Sequence, residues 1–572
     1  MMDSYKKYIP EEVSNLPRML RNSARLFGPR PSLTSVDGTA YSYEELDRAT
    51  RHVAVMLRSA GIGKGDHVAI LAENSPHWGI AYFGTLICGA TTVPILPDFS
   101  EAEVRSILEH AGVKTVFVSG KLVSRLGGGL PGSVEMVINT DDFRLLDIIK
   151  GHVSAPSGEP GVLTRLEAES KISEDDRGFY DADGEELASI IYTSGTTGRS
   201  KGVMLTHVNI LSNAVQSGTI HQVVPEDRFL GILPLAHTLE STVGMMVALL
   251  NGAMVQYIDR APTAAYLKPI LKELRPTTML TVPLIIEKIY RSTIRPKLTK
   301  SAPMRLIMKI GPARRVLSRA AVRKLMDFFG GELRFFGIGG APLAPDVEKF
   351  LLEGGFPYAI GYGLTETSPI VSGFGPSTPV FHSVGKALEG VSVRIDNPDP
   401  LTGEGEIVVR GSNVMKGYYR DEEKTREVFT EDGYFRTGDL GIINENGIIY
   451  IKGRSKNMIL GPNGENIYPE EIEAVINSRE HVLESLVMEY KGKLTARVHL
   501  KMEELEEQFH HLKENAAEFQ KQLQAKVDEV LDELLIHVNQ QVARNAKLQM
   551  IIQQAQPFEK TATQKIKRFL YQ

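Results

Sequence analysis

Residues 188–207 constrain this chain more than any other stretch. Ala188-Ser189-Ile190-Ile191-Tyr192 is apolar and β-branched, the pattern of a buried strand. It runs directly into Thr193-Ser194-Gly195-Thr196-Thr197-Gly198-Arg199-Ser200-Lys201-Gly202, where hydroxyls alternate with glycines and a lysine stands near the end. Glycines let successive backbone N–H groups turn toward one anion, hydroxyls add donors and Lys201 adds charge. The expectation is a polyphosphate cradle. A kinase-type phosphate loop does not fit, because that motif needs Gly, four residues and then Gly-Lys-Ser/Thr. Here Gly198 is followed by Arg199-Ser200-Lys201-Gly202. A plain Gly/Ser/Thr connector is the competing reading; the lysine and the strand lead-in set this run apart.

With 572 residues the chain is expected to hold more than one domain. Net charge is −5, which gives no global attraction to nucleic acid. Cys88 is the only cysteine, so an intramolecular disulfide framework and a multi-cysteine zinc site are excluded. The first residues lack the apolar core of a signal peptide, and no apolar run reaches the ~20 residues that span a bilayer. The expected location is cytoplasmic.

Residues 41–118 alternate helical and β patterns. Ser42 with Glu45 three positions later predicts a capping box; 66–71, 91–95 and 115–118 read as strands, and 76–90 as a helix. Such alternation predicts an α/β fold with parallel strands. Residues 123–186, rich in Gly, Ser, Asp and Glu, read as irregular surface. Further on, Phe229-Leu230-Gly231-Ile232-Leu233 predicts a buried strand, ending at Pro234-Leu235-Ala236-His237-Thr238-Leu239-Glu240. In Tyr362-Gly363-Leu364-Thr365-Glu366-Thr367 an aromatic can stack a purine and a threonine hydroxyl can hold a phosphate oxygen. Its carboxylate can take magnesium, which needs few protein carboxylates when phosphates supply the rest. Asp439, after the Thr437-Gly438 turn, is of the type that accepts hydrogen bonds from a ribose diol.

The 192–207 run resembles, nearly residue for residue, the signature loop of AMP-forming acyl-CoA synthetases of the adenylate-forming superfamily. The Leu-Ala-His-Thr-Leu-Glu wording at 235–240 is most similar to long-chain fatty acid–CoA ligases. The resemblance implies nucleotide contacts at Thr193, Ser194, Gly195, Thr196, Thr197, Gly198 and Lys201. It also implies them at Gly340, Ala341 and Pro342, which line the shared adenine and acyl region, and at Tyr362, Gly363 and Thr365. Asp439 and Arg454 resemble the family's two ribose contacts, and Lys456 falls at its inter-domain hinge. His237 would border the acyl pocket, orienting substrate rather than moving protons. Glu366 would hold Mg2+. Lys565, in Lys560-Thr561-Ala562-Thr563-Gln564-Lys565-Ile566, occupies the place of the lysine essential for adenylation, although Gln564 stands where glycine is usual.

The resulting expectation is an α/β protein of two domains. Residues 1–453 would form a large domain of layered sheets and helices that binds AMP and the acyl group. Residues 454–572 would form a small, mobile α+β domain. Residues 502–544 lack Gly and Pro, and Leu505, Phe509, Leu512, Ala516, Phe519 and Leu523 make a coiled-coil-like seam, read as a helical insertion. The implied activity is ATP-dependent activation of a medium- to long-chain fatty acid to acyl-AMP, then transfer to coenzyme A. The alternatives are an acyl–acyl-carrier-protein ligase, an aryl-acid CoA ligase and, outside enzymes, an acyl or nucleotide sensor. Residues 288–324 carry twelve Lys or Arg and no acidic residue. That composition predicts either a solvated basic face or peripheral contact with anionic lipid at the inner membrane surface.

Overall fold

Local sequence signals and observed elements agree closely near the start of the chain. Ser42 caps the helix Tyr43–Ser59: its backbone N–H donates to Glu45 at 2.8 Å while its hydroxyl accepts from the Glu45 N–H at 3.3 Å. The helix Pro76–Cys88 is buried at every position except His77, which is half-buried. It lies so close to its neighbours that a Cβ on Gly79 would sit 2.5 Å from Leu33 and one on Gly84 2.6 Å from Val53. Trp78, Tyr82 and Phe83 project from it into one large core shared with Leu46, Val53 and Met245.

The computed structural model describes residues 13–127, 129–149, 152–153, 179–193, 200–460, 466–509, 516–561 and 565–571. The expectations for Ser194, Gly195, Thr196, Thr197, Gly198 and Gln564 lie outside the described residues, as does Leu512 of the expected seam. The chain forms two compact units. One comprises Met1–Leu343, Val347–Val393 and Val409–Phe435; the other comprises Ala344–Asp346, Arg394–Val408 and Arg436–Gln572.

The first unit holds two large sheets, counted among the described residues. Nine strands form one of them, in the order Lys386–Ala387, Ile370–Phe374, Tyr358–Gly363, Phe335–Ile338, Thr278–Thr281, Arg228–Gly231, Met254–Tyr257, Pro31–Ser35, Ala40–Ser42. Its central strands are parallel. Eight strands form the other, in the order Gly417–Tyr418, Lys201–Thr206, Leu187–Thr193, Thr91–Pro94, His67–Leu71, Thr115–Val118, Met136–Asn139, Leu145–Leu146. The last two strands correct the reading of 123–186 as irregular surface. Val137 and Ile138 are fully buried and pair in parallel with Val116 and Phe117, so a short apolar run outweighs polar flanks.

In the second unit, Val482–Tyr490 and Lys493–Leu500 form an antiparallel hairpin, to which Met550–Gln553 adds in parallel. The crossover between the last two carries the helices Met502–Gln508 and Ala516–Gln541. Leu523, Val527, Leu534 and Val538 recur at four- and seven-residue spacings and join the core of that unit, beside Leu505 and Ile476. Phe519 is half-buried and Ala516 exposed, so the expected seam covers only part of its length.

Candidate active site

The strands Leu187–Thr193 and Lys201–Thr206 pair antiparallel, with Thr193 opposite Lys201 and Tyr192 opposite Gly202. The glycine- and hydroxyl-rich run therefore joins two antiparallel strands, whose pairing fixes its two ends in a sheet. Two contacts brace that pairing. The Tyr192 hydroxyl and His110 Nδ1 lie 2.7 Å apart, and the Tyr419 N–H donates to the Gly202 carbonyl at 2.7 Å. A Cβ at Gly202 would lie 2.9 Å from Ile190 Cγ2, 3.2 Å from the Tyr192 ring and 3.3 Å from the Tyr419 Cβ.

Tyr362 and Gly363 end the strand Tyr358–Gly363, and Glu366 follows in the 3-10 turn Thr365–Thr367. Gly363 is obligatory: a Cβ there would lie 1.7 Å from the Pro369 carbonyl oxygen. Two asparagines hold the loop beyond it. Asn213 exchanges hydrogen bonds with the Ile370 backbone at 2.7 and 3.0 Å, and Asn413 donates to the Thr367 and Ile370 carbonyls at 3.0 and 3.1 Å. Glu366 is held in turn through its carbonyl, which accepts the Met415 N–H at 2.8 Å.

Tyr418 joins the two loops and was missed by sequence reasoning. Its short strand pairs with Lys201–Thr206, setting Tyr418 opposite Val203. Its hydroxyl donates to Glu366 Oε1 at 2.9 Å, and the Lys201 ammonium lies 5.1 Å from its ring centroid. Burial and the neighbouring Glu366 carboxylate push the phenol far above its ordinary pKa, so it stays a donor. A cation, an aromatic ring and a carboxylate thus meet where the two sheets approach, beyond the carboxyl ends of parallel strands, where α/β folds place ligands.

Glu366 suits magnesium in chemical type, as a hard oxygen donor. Among the described residues no cluster of three or more His, Cys, Asp or Glu could cage a metal. A single carboxylate that leaves the remaining positions to phosphate oxygens and water fits the preferences of that ion.

Gly340, Ala341 and Pro342 form an exposed turn after the strand Phe335–Ile338, with Gly340 at φ +82°. Tyr362, in contrast, keeps only 8 % of its surface exposed. His237 is half-buried in a segment that Asn74 clamps. Asn74 donates to the Leu233 carbonyl at 2.6 Å and accepts the Leu235 N–H at 2.7 Å. The His237 Nδ1 accepts the Leu239 N–H at 3.2 Å, which leaves Nε2 to carry the proton in the neutral ring.

An apolar cavity lies between the nine-stranded sheet and the π-helix Leu239–Met246. Leu239, Val243, Leu280, Ile338 and Ile360 line it, but His237 does not. Nearby, Glu240 is fully buried with one carboxylate oxygen lacking a hydrogen bond, and burial raises its pKa to about 8. Its other oxygen would be 2.8 Å from a Cβ on Gly231 and 2.7 Å from one on Gly244.

In the second unit, Asp439 and Arg454 sit opposite each other on paired strands, with Arg454 Nε donating to Asp439 Oδ1 at 2.8 Å. Gly438, at φ +71°, turns the chain so that the Asp439 N–H reaches the Thr437 hydroxyl at 3.1 Å. Lys456 is exposed in the 3-10 turn Ser455–Asn457. Lys565 and Thr561 are paired: the Lys565 N–H donates to the Thr561 hydroxyl at 3.2 Å and the Lys565 carbonyl accepts the Thr561 N–H at 2.8 Å. Lys560 pairs with Glu484 at 2.6 Å, and Phe558 packs on Leu486 and Met488, so the segment leading to Thr561 is held on the sheet of its unit.

Comparison with known proteins agrees with this arrangement. The long-chain-fatty-acid–CoA ligase FadD15 of Mycobacterium bovis is 30% identical over 482 residues, 79% of this chain and 76% of the relative. A Rhodococcus jostii CoA ligase, named for a methyl-dioxo-octahydroindenyl propanoate, is 30% identical over 491 residues, 84% of this chain and 86% of the relative. The ATP-bound structure of MatB from Rhodopseudomonas palustris superimposes with a TM-score of 0.71 at 26% identity, covering 96% of this chain and 98% of that one. The model of the AMP-binding enzyme family matches residues 20–419. Because that match takes in Lys201, Glu366 and Tyr418 together, with most of the unit that carries them, the chain belongs to the AMP-binding enzyme family.

Proposed function

We propose that this chain joins a medium- to long-chain fatty acid to AMP, releasing pyrophosphate, and then passes the acyl group to the thiol of coenzyme A. The observation that carries the reading is the Lys201–Tyr418–Glu366 array beside the braced hairpin. The apolar cavity supports a hydrocarbon substrate.

A free carboxylate resists acyl transfer because oxide is a poor leaving group. Attack of its oxygen on the α-phosphorus forms a C–O–P bond and breaks the bond to the leaving pyrophosphate. The product is a mixed anhydride that a thiol can open, with AMP departing. No base is needed, since a carboxyl of pKa about 4–5 is ionised at neutral pH. Two anions must meet, so the site has to supply fixed positive charge and donors where charge accumulates. Lys201 and the glycine- and hydroxyl-rich run serve the β- and γ-phosphates; Lys565 serves the adenylation step. Magnesium held by Glu366 would neutralise phosphate charge. Asp439 and Arg454 take the ribose, His237 orients the acid, and Lys456 is the hinge about which residues 454–572 exchange the two half-reactions.

Acid-dependent exchange of labelled pyrophosphate into ATP tests the first step, and thioester formation with coenzyme A tests the second. Exchange with fatty acids and thioester with coenzyme A are expected. Exchange with aryl or ring acids alone would favour the aryl-acid alternative, thioester only on a carrier protein the ligase alternative. Nucleotide binding without exchange would leave a sensor.

The basic segment belongs to the same reading as a peripheral lipid contact. Arg314 is committed to Glu353, with two bonds of 2.6 and 2.7 Å, and Arg291 lies 3.7 Å from Glu287. Arg305, Lys309, Arg315, Arg319 and Arg323 are exposed, as are Leu306, Ile310 and Val316, at 63%, 52% and 66%. Basic side chains beside exposed aliphatic ones suit an anionic headgroup layer, at about 1 kcal/mol per charge. Salt-sensitive co-sedimentation with anionic but not neutral vesicles is expected; equal recovery with both would reject the contact.

A further inference from the structure

The apolar cavity follows the strands of the nine-stranded sheet, and four of its lining residues, Gly337, Gly339, Ala359 and Gly361, are glycine or alanine. Gly337 stands on one strand, with Gly339 just past its end, and Ala359 and Gly361 stand on the next; register sets Gly337 beside Ala359. They line a trough with Leu239, Val243 and Val247. Gly339 marks the end near the Gly340-Ala341-Pro342 turn. At the opposite end Thr278 pairs with Phe335, both at the start of their strands.

His221 stands at that far end, beside Thr278, Phe335 and Phe229. The His221 ring stacks on Phe335, with centroids 4.3 Å apart and planes 15° from parallel. Its Nε2 lies 3.1 Å from the Thr278 hydroxyl, so stacking and a hydrogen bond fix it from two directions. Burial lowers its pKa to about 4, which keeps the ring neutral against the hydrocarbon-like wall. Behind it Asp227 pairs with Arg334 at 2.5 Å and accepts the Thr277 hydroxyl at 2.6 Å, so the trough gives way to charge.

Resting on the fatty-acid reading above, we infer that His221, clamped between Phe335 and Thr278, is the end wall of the acyl trough and sets the longest chain accepted. Gly339 to Phe335 spans four residues, about 13 Å of strand. An extended chain advances about 1.2 Å per bond, so about ten carbons fill that length. Each methylene that finds apolar wall tightens binding about fourfold, and the first one that meets His221 gains nothing.

The test compares the full-length wild type with His221→Ala and Ala359→Leu over saturated acids of graded length. Both pyrophosphate exchange and calorimetric binding of each acid are measured. His221→Ala is expected to raise kcat/KM and affinity at least tenfold for acids four carbons beyond the wild-type optimum, leaving shorter acids within threefold. Ala359→Leu fills the trough nearer its mouth and is expected to move the optimum at least two carbons shorter. Length profiles unmoved in a folded His221→Ala protein overturn the end wall. If that variant does not fold, an unmoved profile in Ala359→Leu does so. A wild type that binds acids with the same length limit but supports no exchange would sink the ligase reading and leave the end wall standing.

Discussion

The polar and apolar ends of the nine-stranded sheet are built on opposite principles. Beyond the carboxyl ends of its strands, Glu366, Tyr418 and Lys201 are set by partners: a hydroxyl on a carboxylate, a cation on a ring, asparagines on every turn of the intervening loop. Toward the other end, Gly337, Ala359 and Gly361 line an apolar cavity, and the few fixed side chains there only bound the space. On the proposed function, removing a group from the first region would break chemistry, and adding or removing volume in the second would change which acid reacts.

That contrast sets the size of the expected effects. Charge tests come first. Lys565→Ala is expected to slow pyrophosphate exchange about a thousandfold and to leave thioester formation from preformed acyl-AMP nearly intact. Equal loss in both half-reactions would show that the lysine is not specific to adenylation. Glu366→Gln should cost about a hundredfold in exchange, by the same factor for every chain length, and raise the magnesium concentration needed. A loss that varies with the acid would blur the line between the two regions.

Tyr418→Phe keeps the ring under Lys201 and removes only the bond to Glu366. A hydrogen bond to a charged group contributes about 1.5 kcal/mol at the low end, so about a tenfold drop in kcat is expected. A change no greater than twofold would reduce Tyr418 to a packing role.

The smallest expected effect is on stability rather than turnover. Glu240 titrates at about 8 when folded, above its ordinary 4.5. The folded state therefore holds its proton more tightly, and stability is fully present below about pH 4.5 and falls as pH rises through 8. Glu240→Gln should flatten that alkaline decline by a few kcal/mol, read as a smaller drop in Tm between pH 5 and pH 9. An unchanged pH profile would mean that the carboxylate finds a partner.

Legibility in the sequence follows the same division. Phosphate and metal chemistry require particular residue types, so Lys201 and Glu366 were singled out as candidates with no structure, and the structure brings both to Tyr418. The capping box at Ser42 and Glu45 was readable because its signal lies within four residues. Tyr418 was not, since its meaning depends on pairing with a strand far away in sequence. The trough was also hidden: nothing in the sequence sets Gly337 beside Ala359, which the register of two strands does. Asp439 and Arg454 were each singled out, but their mutual ion pair needed the register of two strands.

The edge strand Gly417–Tyr418 carries a consequence for how the protein comes to exist. It closes onto Lys201–Thr206 from about 200 residues further along, among the most non-local pairings in the unit. A ribosome delivers the hairpin long before it delivers Tyr418, and contacts of that range form late. Until then Lys201 has no ring and Glu366 has no hydroxyl. The Lys201–Tyr418–Glu366 array is therefore completed only once residue 418 has been made and has paired with the hairpin strand.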